Sequence, residues 1–393
     1  MSGVTILVGT TKGVFLVDGT GGRSKWQVRG PFCGGWPINH LVGDPQSGTI
    51  WAAGGGDWHG AGVWRSGDGG DTWTLSQLSN GKMDDWLAND PETAAYLGMT
   101  ASPPAPFTRD ISAIWSLGLS GNTLYAGAKP ASLFSSTDQG ETWSRVHALG
   151  DHPSRDSWEP GGAGLILHSI VADPGDPAKL WVGISAAGVF ATEDCGRTWE
   201  RRNRMSNVGQ DHDHTHSAPQ GESGAHETGL CVHNIVRAPV DRSRSRSDVM
   251  YQQNHHGVFH SPDGGRSWDD VSAGLPSRFG FPIAVHPADP GTIWVFPLNG
   301  DTQGRFPPGA SAAIWRSRNG GATWESLQNG LPDKDCFFTV LRQAMAVDTA
   351  KTAGVYFGTN SGSIFASADE GDSWTEVARH LPTVLSVETL QRA

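Results

Sequence analysis

Histidine is the residue that this chain uses most suggestively. Asp211 to His216 reads DHDHTH, and His226-Glu227 follows shortly after. In an extended segment alternate side chains share a side, so His212, His214 and His216 would present three imidazoles together. Three imidazoles with neighbouring carboxylates suit Zn, Cu, Ni or Fe as the divalent ion. A second set is dispersed: His168, His233 and His255 each stand beside a short apolar run, and their convergence would make an alternative metal site. Arg342 offers a guanidinium fork for a substrate carboxylate. Lys129 and Glu227 are the candidates for base or acid once desolvated. Asn39, His40, Asn234, Asn254, His256 and Gln343 supply neutral polar groups for a bound ligand. Cys231, two residues before His233, reads as a core residue rather than a nucleophile.

These residues need a scaffold, and a repeat supplies it. The string SGDGGDTW starts at Ser66 and returns in altered form at Ser136, Thr192, Ser261, Ser317 and Ser367. The shared pattern is S/T-x-D/N-x-G-x-S/T-W. Each copy follows a short apolar run, and Gly13-Val14-Phe15 with Trp26 forms a decayed seventh. The run is one strand, the Asp/Gly segment is a turn, and Trp opens the return strand. Two further strands precede each hairpin, the inner ones being HLVGDP at 40, HSIVADP at 168, HNIVRAP at 233, PIAVHP at 282, AMAVD at 344 and, more loosely, AIWSL at 113. A unit of roughly 50 residues with four strands is a propeller blade.

The expected fold is therefore all-β, a seven-bladed propeller forming a single domain over residues 1–393. The N-terminal segment TILVG reads as a second strand and the C-terminal TVLSVE as a first strand, so the strand at 383–388 completes blade 1. With the first strand innermost, connections between blades and the turns between second and third strands share one face. The histidines, Arg342 and the long insertions map to that face, where a rigid ring usually carries its site. The box turns map to the other face and read as structural, with a buried box tryptophan such as Trp143 worth about 3 to 5 kcal/mol.

The boxes resemble the BNR (bacterial neuraminidase) repeat superfamily, which includes sialidase-like propellers, two-propeller xyloglucanases, sortilin-type receptors and a photosystem assembly factor. The stretches GLILHSIVADP, GLCVHNIV, YQQNHHGVFHS and FGFPIAVHP look like a bacterial branch often labelled glycosyl hydrolase or exo-sialidase. The resemblance implies the fold more than the activity. Sialidases of the superfamily use an arginine triad and a tyrosine–glutamate nucleophile; this chain has four tyrosines, Tyr125, Tyr251 and Tyr356 of them in equivalent second strands, and no evident triad. Xyloglucanase-type catalysis needs two facing carboxylates, for which Asp57, Asp110, Asp211, Asp213 and Glu227 are available.

Composition narrows the partners. The net charge is −11, with charged residues at 18%, 53 glycines and 17 tryptophans. An acidic chain without a basic tract argues against nucleic acid. No apolar run is long enough for a membrane span, and the N-terminus lacks a secretory pattern. The four cysteines form no CxxC pair, so a cytoplasmic, reducing location is the expectation. The functional expectation is a metal-assisted hydrolase or lyase for a small polar or glycan-like substrate at the His-rich face. The alternative is a noncatalytic scaffold or ligand-binding propeller. Oligomeric state is not legible.

Overall fold

The repeated box turns are built alike, and their hydrogen bonds explain the residue choice. In the computed structural model, which describes residues 3–206, 227–239 and 248–391, Ser66 Oγ donates to Asp68 Oδ1 at 2.8 Å and accepts the Gly70 amide at 2.8 Å. Asp68 in turn accepts the Thr72 amide at 3.0 Å and the Thr72 hydroxyl at 2.5 Å. Gly70 has φ +97°, and a Cβ there would strike Leu16 of the preceding blade. The same pattern recurs around Asp138, Asp194, Asp263 and Asp369. At Ser317 the acceptor is Asn319, which keeps the bond from the Thr323 amide and donates its own Nδ2 to the Thr323 hydroxyl. Donors crowding an anionic acceptor favour its charged form. Those from Thr198, backbone amide first, thus hold the Asp194 carboxyl down at about 2.

Each hairpin extends into a four-stranded antiparallel sheet, and there are seven such sheets. Their innermost strands are Val384–Gln391, Ile38–Gly43, Ala113–Ser120, Ile166–Asp173, Val232–Arg237, Gly280–Val285 and Met345–Val347. Each inner strand packs beside the next, closing a ring around an axial channel. The chain is a seven-bladed β-propeller. Blade 1 is closed across the termini: Val384–Gln391 pairs antiparallel with Val4–Thr10, running Val4 to Gln391 and Thr10 to Val384. The pairing extends three residues beyond the expected 383–388 segment.

Tryptophans tie blades together. Trp51, Trp181 and Trp294, on second strands, donate Nε1 to carbonyls in the box turn of the following blade, at 2.8 to 2.9 Å. The box tryptophans differ among themselves. Trp73, Trp143 and Trp199 bond the glycine carbonyl of their own turn, whereas Trp268 and Trp324 reach back to Arg202 and Val271 of the previous blade. Trp268 is fully buried, but Trp143 is only half-buried. The stability cost expected for Trp143 therefore belongs to Trp268. Insertions gather between blades: helices Lys82–Asn89 and Pro91–Leu97 lie between blades 2 and 3. Among the described residues no helix is long and apolar enough to cross a membrane.

Candidate functional site

Blades 4 to 7 contribute to one cavity of about 330 Å³ on the loop-rich face. Gly161, Gly162 and Ala163 come from the connection into blade 4, and Ala186 from its turn between second and third strands. Cys231 and His233 stand at the start of the blade 5 inner strand, with His255 and His256 on that blade's turn. Phe281 opens the inner strand of blade 6, Asp301 and Arg305 lie on its long turn, and Arg342 precedes the inner strand of blade 7. Chain order alone therefore scatters the lining over nearly half the sequence.

The floor is aromatic. His233 meets Phe281 in a tilted contact at 4.7 Å and Phe279 edge-on at 5.3 Å, and His255 meets Phe279 edge-on at 5.1 Å. Two guanidinium groups flank the Phe281 ring: Arg342 at 5.2 Å and Arg305 at 5.6 Å from its centroid. Arg305 is anchored to Asp301 at 2.6 Å. Among the described residues Arg342 has no such anchor, and its Nε is sealed from solvent with no hydrogen-bond partner. Burial lowers the Arg342 pKa from its usual value, and Arg305 adds to that, while Cys231 and Asp301 offset part of it.

The His233 imidazole is held in one state. His233 Nδ1 lies 2.6 Å from the Gly280 carbonyl and must donate to it, so Nε2 keeps its lone pair and faces Cys231 Sγ at 3.7 Å. Burial, and next Arg342, keeps the ring neutral, its pKa well below the ordinary value. His255 packs edge-on against His233 at 5.5 Å and against His256 at 5.0 Å. Its amide donates to the Cys231 carbonyl at 3.0 Å, which ties the turn to the strand. Asn254 sets that turn: its side chain accepts the His256 amide and donates to the Gly229 carbonyl.

Other polar residues singled out in the sequence are engaged between blades. Asn39 Nδ2 donates to the Ile114 carbonyl at 2.8 Å, and His40 Nδ1 accepts the Leu117 amide at 3.1 Å, leaving its Nε2 toward Glu388 at 3.4 Å. Asn234 receives the Ser169 hydroxyl and donates to the Arg342 carbonyl at 2.8 Å. Gln343 donates to the His168 carbonyl. His40, Asn234 and Gln343 also line a channel cavity of about 290 Å³, with Glu388. His168 bonds Ser169 Oγ through Nδ1 at 2.9 Å and does not line the blade 4–7 cavity. Glu227 pairs with Arg201 at 3.0 Å, and Lys129 lies against Gly164; neither reaches the cavity lining. His212, His214 and His216, with Asp211 and Asp213, lie outside the described residues.

Sequence reasoning thus found Arg342, His233, His255 and His256 but missed Phe281, Asp301, Arg305 and the position of Cys231. The unusual length of the blade 6 turn, from Pro297 to Ser311, was the available signal for Asp301 and Arg305. For Cys231 it was the spacing of two from His233, which puts both side chains on one side of an extended segment.

No family model matches the chain. A curated xyloglucanase of a Paenibacillus species is 25% identical over 257 residues, covering 62% of this chain and 23% of that protein. The solved GH74 xyloglucanase from Xanthomonas campestris has a TM-score of 0.61 at 17% identity, over 96% of this chain and 53% of its own. YCF48 bound to a D1 peptide has a TM-score of 0.50 at 16% identity, over 86% of this chain and 80% of its own. The chain spans about half of the Xanthomonas enzyme and 23% of the Paenibacillus one. At these identities the solved structures establish a shared propeller fold.

Proposed function

We propose that the blade 4–7 cavity is an active site, and that the protein is a metal-assisted hydrolase or lyase for a small, carbohydrate-derived substrate bearing a carboxylate. One observation carries this reading: among the described residues the Arg342 guanidinium lines the cavity without a carboxylate partner, beside three histidines and a second guanidinium. A buried donor without an acceptor is costly unless a ligand completes it, and a guanidinium fork matches a carboxylate. The cavity, at about 330 Å³, suits a molecule of monosaccharide size. Phe281 keeps both guanidiniums beside an apolar wall, where charge-assisted bonds gain strength. The kinship in fold with xyloglucanases supports a sugar-derived substrate. It does not extend to two-carboxylate chemistry, because Asp301 is the one carboxylate among the described residues lining the cavity. Asp57 and Asp110 are paired with Lys82 and Arg145. A bound divalent metal would supply Lewis acidity and an activated water in place of that carboxylate pair.

The test is a panel of uronates, aldonates and their lactones and esters, with binding followed by calorimetry and turnover by NMR. Arg342→Ala is expected to weaken binding of the acidic members by about tenfold to a hundredfold, the cost of a lost charge-assisted pair. Neutral analogues should bind the two proteins alike. Equal affinity of acidic members for both would overturn the reading. The likeness to a peptide-bound YCF48 favours a second reading, a noncatalytic ligand-binding propeller; turnover of any panel member would set it aside.

A further inference from the structure

Cys231 turns its sulfur out of the blade and into the same cavity. Its Sγ, and a ring nitrogen from each of His233 and His255, all lie within 4.8 Å of one another. The geometry points to a transition-metal centre made of one thiolate and two imidazoles, Cys231, His233 and His255, whose remaining coordination position opens on the substrate cavity. This deepens the functional reading above and rests on it for the purpose of the metal, though not for its existence.

Distances fit the ion. With Zn–S near 2.3 Å and Zn–N near 2.0 Å at tetrahedral angles, a sulfur and a nitrogen ligand stand about 3.5 Å apart. Cys231 Sγ and His233 Nε2 are already 3.7 Å apart. The widest separation in the set, 4.8 Å at most, closes with a shift of up to about 1.5 Å in the His255 ring, which sits on a turn. The tautomer fits too. A metal-bound imidazole normally donates its other N–H to a carbonyl or carboxylate, and His233 does so to Gly280.

The surroundings leave room and set the preference. Beside the sulfur stand Gly161, where an added Cβ would lie 3.9 Å away, and the Ser185 hydroxyl at 3.5 Å. Phe279 and Phe281 pack against the His233 ring. A thiolate donor selects Zn²⁺, Co²⁺ or copper over Mg²⁺ and Ca²⁺. One thiolate leaves a divalent ion with net positive charge, and Arg342 and Arg305 add to it. An anionic fourth ligand is therefore favoured, either hydroxide or the carboxylate of the substrate. His168, which the sequence pattern placed among the ligands, lies outside this set; its ring is engaged by Ser169.

The experiment uses the untagged full chain, purified without chelator and loaded with Zn²⁺ or Co²⁺. Stoichiometric cobalt with a thiolate-to-metal charge-transfer band in the near ultraviolet is expected. Cys231→Ser should abolish that band and weaken Zn²⁺ binding by about a hundredfold or more, and His255→Ala should weaken it comparably. His168→Ala, and a variant with His212, His214 and His216 all changed to alanine, should keep both band and affinity. Circular dichroism and the melting temperature check that each variant is folded. Cobalt bound without the band, full Zn²⁺ affinity in Cys231→Ser, or loss confined to the 212–216 variant would each overturn the centre. Failure of the functional reading looks different: thiolate-bound cobalt would be present while no member of the acidic panel binds or turns over.

Discussion

Three histidines near the starts of inner strands show how far a residue's role depends on its two nitrogens. His40 spends Nδ1 on the Leu117 amide and turns Nε2 to Glu388, so it bridges blades. His233 gives its Nδ1 proton to Gly280 and keeps Nε2 for Cys231. His168 bonds Ser169 through Nδ1, and among the described residues its buried Nε2 has no hydrogen-bond partner. Burial above all, and then Arg342, pushes the His168 pKa well below the ordinary value. The folded protein thus holds this ring neutral where the unfolded chain would protonate it. Below the unfolded value, near 6.5, the unfolded state binds more protons, so this contribution to stability is full above that pH and falls as the pH drops. The slope is at most about 1.4 kcal/mol per pH unit for one such group. His168→Gln should therefore lose less stability between pH ~7.5 and ~5.5 than the parent, measured by urea unfolding. An unchanged pH dependence would show that the ring is protonated in the fold.

At the scale of the element, the box turn and its tryptophan are separable. The turn closes through its own Ser, Asp and Gly, as the bonds around Asp68 show, and needs little from outside. The tryptophan matters according to what its blade neighbour offers. Trp268 is wholly buried and donates to Arg202 of the preceding blade, whereas Trp143 is half-buried and donates to its own Gly140. Trp268→Ala should cost about 3 to 5 kcal/mol in denaturant unfolding, and Trp143→Ala clearly less. Equal costs would mean that burial is not what distinguishes the two.

The ring as a whole depends on one pairing across the termini. Val384–Gln391 adds the inner strand to blade 1 and buries Val384, Val387 and Leu390. Arg23 of blade 1 reinforces the joint, pairing at 2.8 Å with the fully buried Asp348 of blade 7, which also accepts the Tyr356 hydroxyl. Without the last strand, Val4–Thr10 would present an open edge and the apolar faces behind it. A chain ending at residue 382 should unfold at lower denaturant with reduced cooperativity and associate on gel filtration. A truncated chain that stays monomeric and melts like the parent would show that the other six blades and Arg23 suffice.

Much of this was written in the local order of the chain. Hairpins arise from Ser, Asp, Gly and Trp at fixed spacing, and strands from alternating apolar residues, so the six boxes at Ser66 through Ser367, with the decayed copy at Gly13 and Trp26, set the number of blades at seven. A first strand at 383 and a second strand at 5 implied closure, because a ring with complementary unpaired edges joins them. Which loops share a face followed as well, since strand order decides which turns lie together. The meeting of particular side chains was not so written. Cys231, His255, Asp301, Arg305 and Arg342 belong to three blades, and their convergence depends on blade twist, turn length and the bulge between Val232 and Asn234. Hydrogen-bond partners decided the rest: Asn39 is tied to the Ile114 carbonyl, while Asn234 and Gln343 bond across blades and also line the channel cavity. Cys231 looks like core until the strand start turns it toward His233. Local propensity fixes which elements form, but a site assembled between elements is decided only when they pack.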